Sequence, residues 1–308
     1  MRTDLEAGGA ESPEFLRAIL DGIQDGVYLV DRERRITFWN SGAETLTGYL
    51  RHEVIGRRCP ENLLRHCTAD GAELCESGCP LQTSLTDGQA REAFVFLRHK
   101  RGYRVPVRVR VTAVRDAQGI ISGAAEVFEE HDLAQAGAQQ TQTLESPHLV
   151  DRLTGLANRE GIAAKLAERI RELAQCGTPF GILLIGIDGL PLINRNFGRD
   201  AGDGILRMAA TTLAKSVAAQ HPLGRWEGDQ FLAILDNCDS DMLASVAGRL
   251  RALMANSSIQ WWGQTVRITV SIGGVMAQAG DDDEAILDRA VTLLAAVQQA
   301  GGDACQIA

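Results

Sequence analysis

Apolar residues at Phe15, Leu16, Ile19, Leu20 and Ile23 recur at the spacing that lines one face of a helix, and Asp25-Gly26 marks its end. Two short runs follow, Val27 to Asp31 and Arg35 to Asn40, separated by the charged turn Asp31-Arg32-Glu33-Arg34, and both read as strands. Ser41 opens a short helical piece that ends near Gly48, whereas residues 56–90 show no periodicity and are rich in Cys, Gly and polar side chains. Alternation returns in Glu92 to His99, in Tyr103 to Val114 and in Ile120 to Phe128; in the middle run Val105, Val107, Val109 and Val111 interleave with polar or basic residues. A period of two marks a half-buried antiparallel sheet. Pro106 cannot donate to a ladder, so its strand is expected at a sheet edge or a bulge.

Residues 129–150 break the pattern. Ala, Gln and Thr dominate, apolar positions are too thin for a core, and a partly helical connector broken near Pro147 is expected, with little heptad support for a coiled coil. Beyond Val150 the pattern becomes α/β. Helices are predicted at Arg159 to Cys176, Ala201 to Ala219, Asp239 to Ala255 and Asp283 to Ala300. They alternate with a continuous apolar strand, Phe180 to Ile187, and a strand from Val266 to Ile272. A hairpin centred on Glu227-Gly228-Asp229 joins Leu223 to Trp226 with Phe231 to Leu235. Helices alternating with apolar strands imply a sheet with helices packed on it. The division expected is therefore 14–130, a linker at 131–149, and 150–308.

Composition narrows the function. With 45% hydrophobic and 23% charged residues over 308 positions, the chain is an ordinary globular one, and 5% aromatics leaves the cores to aliphatic side chains. A net charge of −9 argues against nucleic acid as the main partner, since phosphate binding needs clustered Lys and Arg. No apolar run approaches the length needed to span a bilayer. Met1 to Glu14 lacks the basic and apolar regions of a signal peptide, so a cytoplasmic location is expected. In that reducing compartment clustered thiols point to metal or redox chemistry rather than to a disulfide scaffold. Of seven cysteines, Cys59, Cys67, Cys75 and Cys79 fall together with His66 in one short segment. Thiolate and imidazole are the ligands that zinc and iron–sulfur clusters use. A tetrahedral set would take Cys59, Cys75 and Cys79 with His66 or Cys67; Cys75 and Cys79 would share a side if their segment were helical. Paired Cys-x2-Cys spacing is missing, and small buried thiols or an oxidisable pair fit the same sequence.

The order helix, two strands, irregular segment, three long strands resembles a PAS sensor domain over residues 14–130. The residues carrying the likeness are Gly26-Val27-Tyr28-Leu29-Val30-Asp31, Ile36-Thr37-Phe38-Trp39-Asn40 and Gly119-Ile120-Ile121-Ser122-Gly123-Ala124. The resemblance implies an antiparallel sheet that senses through a ligand in its half-barrel, or dimerises.

The second half resembles the GGDEF, or diguanylate cyclase, family. Asp151-Arg152-Leu153-Thr154-Gly155-Leu156-Ala157-Asn158-Arg159 is similar to its opening, Arg225-Trp226-Glu227-Gly228-Asp229-Gln230-Phe231 to its hairpin and Ser271-Ile272-Gly273-Gly274-Val275 to its later strand. The resemblance implies a sheet wrapped by helices, like nucleotide cyclase and polymerase palm folds. It also implies a homodimer in which two GTP molecules, one per subunit, condense to cyclic di-GMP with two divalent metals neutralising the developing charge. By the same resemblance Asn194 and Asp203 would read guanine, and Asp229 would be the retained catalytic, Mg-binding acid.

Other family positions are substituted. The principal metal-binding Asp corresponds to Gly186, the following Lys to Pro191, the hairpin's second acid to Gln230 and its first Gly to Glu227. The phosphate-holding Lys and Arg correspond to Gln298 and Gly302, and the usual Tyr to Ala295. Asp188 is kept, though in the family it is not the main ligand. The Arg and Asp of the product-inhibition motif fall at Ala218 and His221. Losing metal carboxylates and phosphate cations together removes several kcal/mol of transition-state stabilisation. The expectation is a signalling protein with PAS input and a degenerate GGDEF domain that binds GTP or a partner. The alternatives are a working cyclase in which Asp188 shifts to hold a metal, and a metal- or redox-sensing module whose second domain only dimerises.

Overall fold

A computed structural model describes residues 12–61, 63–131 and 147–308, so most of the expected linker lies outside the described residues. The chain divides into two compact units, one drawn chiefly from residues up to His131 and the other from Asp132 onward.

The first unit opens with α1 (Pro13–Asp21), capped by the Ser12 hydroxyl, which accepts from the Phe15 N–H. Then come β1 (Gly26–Asp31), β2 (Ile36–Trp39), α2 (Ser41–Thr47), α3 (Arg51–Val54), α4 (Pro80–Asp87), β3 (Arg91–Arg98), β4 (Arg104–Arg115) and β5 (Ile121–Glu130). Their five-stranded sheet runs β2-β1-β5-β4-β3, with the β1–β2, β1–β5 and β4–β5 pairs antiparallel. Asn40 fixes the entry to α2. Its Oδ1 accepts from the Val27 and Ala43 N–H groups at 2.8 Å each, and its Nδ2 donates to Leu20 and Asp25 carbonyls at 2.8 and 2.9 Å. One fully buried amide thus satisfies backbone groups from α1, β1 and α2.

Pro106 does not mark an edge. β4 lies between β5 and β3, and Pro106 sits just before the β5 register begins at Val107, where its carbonyl accepts from the His131 N–H. Ahead of that register the missing donor removes no rung of the β5 ladder. The region 56–90 is less irregular than expected, because α4 starts there with Pro80 at its first position and Cys79 as its cap.

The second unit contains α5 (Arg159–Cys176), β6 (Phe180–Ile187), α6 (Leu190–Phe197), α7 (Arg199–Ser216), β7 (Leu223–Glu227), β8 (Gln230–Asp236), α8 (Ser240–Ala255), β9 (Ser258–Trp261), β10 (Gln264–Arg267), β11 (Val270–Met276), α9 (Asp283–Gln299) and β12 (Cys305–Ile307). Its main sheet has the order β12-β11-β6-β8-β7; only the β11–β12 pair is parallel. Every residue of β6 is buried, which explains its unbroken apolar run. Leu183, Ile185 and Ile187 pack with α7 and α8, whereas Ile182 and Leu184 pack with α5 and α9, so helices cover both faces.

Two expectations change here. The strand expected at Val266 to Ile272 is two strands, since β10 pairs with β9 across Trp262-Gly263, both at positive φ, and β11 starts anew at Val270. The helix expected from Ala201 begins at Arg199, and α6 precedes it despite Pro191, which occupies the first turn where no N–H is needed. Among the described residues no helix is long and apolar enough to cross a membrane.

Candidate functional site

Asp151 anchors the start of the second unit. Its Oδ1 accepts from the Thr154 N–H at 2.9 Å and hydroxyl at 2.7 Å, and Arg225 Nη1 stands 3.3 Å from both carboxylate oxygens. Burial alone would raise this carboxyl, but the Thr154 and Arg225 bonds hold it below its ordinary value. The same Arg225 donates through Nε and Nη2 to the Gly228 carbonyl at 3.0 and 2.7 Å. Gly228 takes φ 56° at the first position of the two-residue turn between β7 and β8, a conformation that favours glycine. Asn158 caps α5, and Arg159 lies 4.9 Å over the Trp226 ring while pairing with Glu227. The opening segment therefore braces the hairpin.

Beside that hairpin lies a cavity of about 550 Å³ whose lining includes Asn194, Arg199, Gly202, Asp203, Arg225 and Asp229. It brings together the three residues expected in the nucleotide site. Asn194 comes from α6 and Asp203 from α7; Gly202 is glycine because a β-carbon there would collide with Asn194 Oδ1. That Oδ1 is buried without a hydrogen-bond partner among the described residues. Burial raises the Asp229 carboxyl above its usual range, with nearby Asp188 adding to the shift and Arg225 opposing it. Arg199 in the lining was not among the sequence candidates, since nothing in its spacing distinguishes it from a surface arginine.

The acidic side of the site is differently built. Gly186 pairs with Gln230 across β6 and β8, and the Ile187 N–H donates to the Asp229 carbonyl, so these positions meet at the hairpin. A β-carbon on Gly186 would stand 2.8 Å from Gln298 Nε2, so the amide from α9 occupies the space of the missing side chain. Asp188 is already engaged. Its carboxylate accepts from Thr269 Oγ1 at 2.7 Å, Ser271 Oγ at 2.7 Å and the Asp303 N–H at 3.0 Å. Two metals need several carboxylate oxygens that are free to turn toward them. Among the described residues, Asp229 at the hairpin and Asp203 across the cavity are not held in an ion pair, while Gly186 and Gln230 contribute no carboxylate, so the residues present do not fit the metal pair that diguanylate cyclase chemistry uses. His221 is equally committed: it is buried, accepts from the Asp236 N–H through Nδ1, and is held below its usual pKa by burial.

In the first unit Cys59, Cys75 and Cys79 lie close enough to act electrostatically on one another and on Glu126, which His66 faces, yet they do not form the expected ligand set. Among the described residues no three His, Cys, Asp or Glu side chains converge on a metal position. Gly78 at φ 81° breaks the segment, so Cys75 lies in a turn and Cys79 caps α4 instead of both lying on one helix. Cys67 Sγ is directed at the Phe96 carbonyl, 3.7 Å away. Burial raises the Cys59 thiol and pushes Cys75 up to about 11, so neither is a ready thiolate.

His66 instead faces a carboxylate that the sequence candidates omitted: its Nε2 stands 3.7 Å from Glu126 Oε1, both side chains buried. Burial pushes Glu126 up to about 7 against a hydrogen bond from Tyr28, whose own pKa rises well above its usual value through burial and the adjacent Glu126. A signal was present in the alternation, where Glu126 shares the inward register of Ala124 and Phe128.

Comparison with known proteins agrees with this geometry. Residues 148–304 match the family model "Diguanylate cyclase, GGDEF domain", and residues 14–130 match the PAS fold. The chain is 25% identical over 264 residues to the probable diguanylate cyclase DgcE of Escherichia coli (strain K12), covering 85% of this chain and 23% of that protein. It is 37% identical over 147 residues to the response regulator PleD of Caulobacter vibrioides (strain NA1000 / CB15N), covering 46% of this chain and 32% of PleD. The chain thus spans about a quarter to a third of the length of these relatives. Among solved structures, the diguanylate cyclase SiaD of Pseudomonas aeruginosa, in complex with its activator SiaC, shares the fold at TM-score 0.52 and 24% identity, over 54% of this chain and 64% of that one. With the PAS fold in front and the matched model spanning just over half of its length, the chain belongs to the GGDEF family of diguanylate cyclases.

Proposed function

We propose that this protein works in cyclic di-GMP signalling as a PAS-governed receiver whose GGDEF unit binds a guanine nucleotide and does not convert it. Support for signalling comes from the domain pair and from the cyclases it is similar to. Support for binding comes from the cavity that unites Asn194 and Asp203. The observation carrying the loss of catalysis is the committed Asp188 beside a Gly186 whose side-chain space is filled by Gln298. The reading takes the protein as a cytoplasmic homodimer, as the family's two-substrate reaction leads one to expect.

Incubating the full chain with GTP and magnesium or manganese, then separating nucleotides by chromatography, tests the catalytic half of the reading. No cyclic di-GMP above background is expected; multiple turnovers per protomer would establish the alternative, a working cyclase. Calorimetry with Asn194→Ala and Asp203→Ala tests the binding half, because both substitutions are expected to weaken GTP binding at least about tenfold.

A further inference from the structure

Building on that reading, we infer that the pocket recognises a guanine nucleoside or its monophosphate through the base, without a divalent ion and without a gain from further phosphates. The base side is complete. Guanine offers an exocyclic 2-amino donor, which adenine lacks, and acceptors at O6 and N7. Among the described residues the buried Asn194 Oδ1 has no hydrogen-bond donor, and Asp203 lines the same cavity. An unsatisfied buried acceptor is costly, so a ligand that supplies its donor gains specificity from it.

The phosphate side is depleted. Pro191 lines the cavity and Gln298 lies against Gly186, neither of them a cation, and Arg225 is spent on Asp151 and the Gly228 carbonyl. That leaves Arg199, at the first position of α7, as the lining cation with no carboxylate bridge among the described residues. One guanidinium matches one phosphate. A β,γ-diphosphate would add negative charge beside Asp229 and Asp188, with no metal seat between them to neutralise it.

Isothermal titration of the full chain with guanosine, GMP and GTP, each in magnesium and in EDTA, tests this, with adenosine and AMP as controls. Affinities for GMP and GTP within about threefold of each other, unchanged by EDTA and about fivefold tighter than guanosine, are expected, with adenosine and AMP at least about tenfold weaker than guanosine and GMP. Arg199→Ala should weaken GMP about fivefold and leave guanosine unchanged, and an unaltered melting temperature shows that the variant is folded. If GTP with magnesium binds more than about tenfold tighter than GTP in EDTA or than GMP, the inference is overturned while the nucleotide reading stands. If neither guanosine nor GTP binds better than adenosine, the nucleotide reading itself fails.

Discussion

Gln298 and Gly186 are complementary: the amide at the end of α9 fills the volume that any side chain on the last position of the β6–β8 ladder would occupy. Restoring a carboxylate by Gly186→Asp therefore displaces the end of a flexible side chain and not backbone. A stability loss of no more than about 1–2 kcal/mol is expected in urea denaturation. Activity should stay absent, since Pro191 and Gln298 still supply no phosphate cation; cyclic di-GMP synthesis by the single variant would show that the metal acid alone was limiting.

Asp188 behaves as a structural tie. Removing it in Asp188→Ala leaves the Thr269 and Ser271 hydroxyls and the Asp303 N–H without their acceptor. A loss of about 3 kcal/mol is expected by chemical denaturation. A metal ligand would give the opposite signature, with stability unchanged and manganese binding lost.

Asn40→Ala should be among the more damaging changes in the first unit. It removes an N-cap and orphans backbone groups of Leu20, Asp25, Val27 and Ala43 at a fully buried position. About 3 kcal/mol is expected from the thermal or denaturant midpoint of the PAS transition.

Glu126 makes stability depend on pH. Its folded pKa of about 7 lies above the ordinary carboxyl value, so between the two the folded state holds a proton that the unfolded state has released. The contribution is whole below the ordinary value and disappears as pH rises through about 7. Glu126→Gln, which keeps the shape and cannot ionise, should flatten the denaturation midpoint across that window. The neighbours to be accounted for are His66 on the facing segment, Tyr28 on β1 and the Cys59 thiol. An unchanged pH profile in the variant would show that the carboxyl ionises normally.

The thiols should separate by reactivity. Cys176 is exposed at the end of α5, whereas Cys59 is buried with its pKa raised and Cys75 titrates at about 11. Mild alkylation at pH 8, read by peptide mass, is expected to label Cys176 first and Cys59 last.

Much of the architecture was legible where one force dominates. The alternating valines of β4 and the unbroken apolar run of β6 each follow directly from burial on one face or two. The gathering of Asn194, Asp203 and Asp229 into one cavity was equally readable, through family resemblance. The failures have local causes. Cys75 and Cys79 share a helix-like spacing, but Gly78 turns the chain between them. Val266 and Val270 fit one alternation, and only the Trp262-Gly263 turn shows that they belong to separate ladders. The tie from Asp188 to Thr269, Ser271 and Asp303 and the filling of Gly186 by Gln298 join positions far apart in the chain. No periodicity encodes such pairs.

Arg225 grips Asp151 with one nitrogen and Gly228 with the others, which makes the rim of the cavity and the opening of the GGDEF domain a single rigid strut. Any pull arriving along the polypeptide ahead of Asp151 is delivered to the rim without first crossing α5.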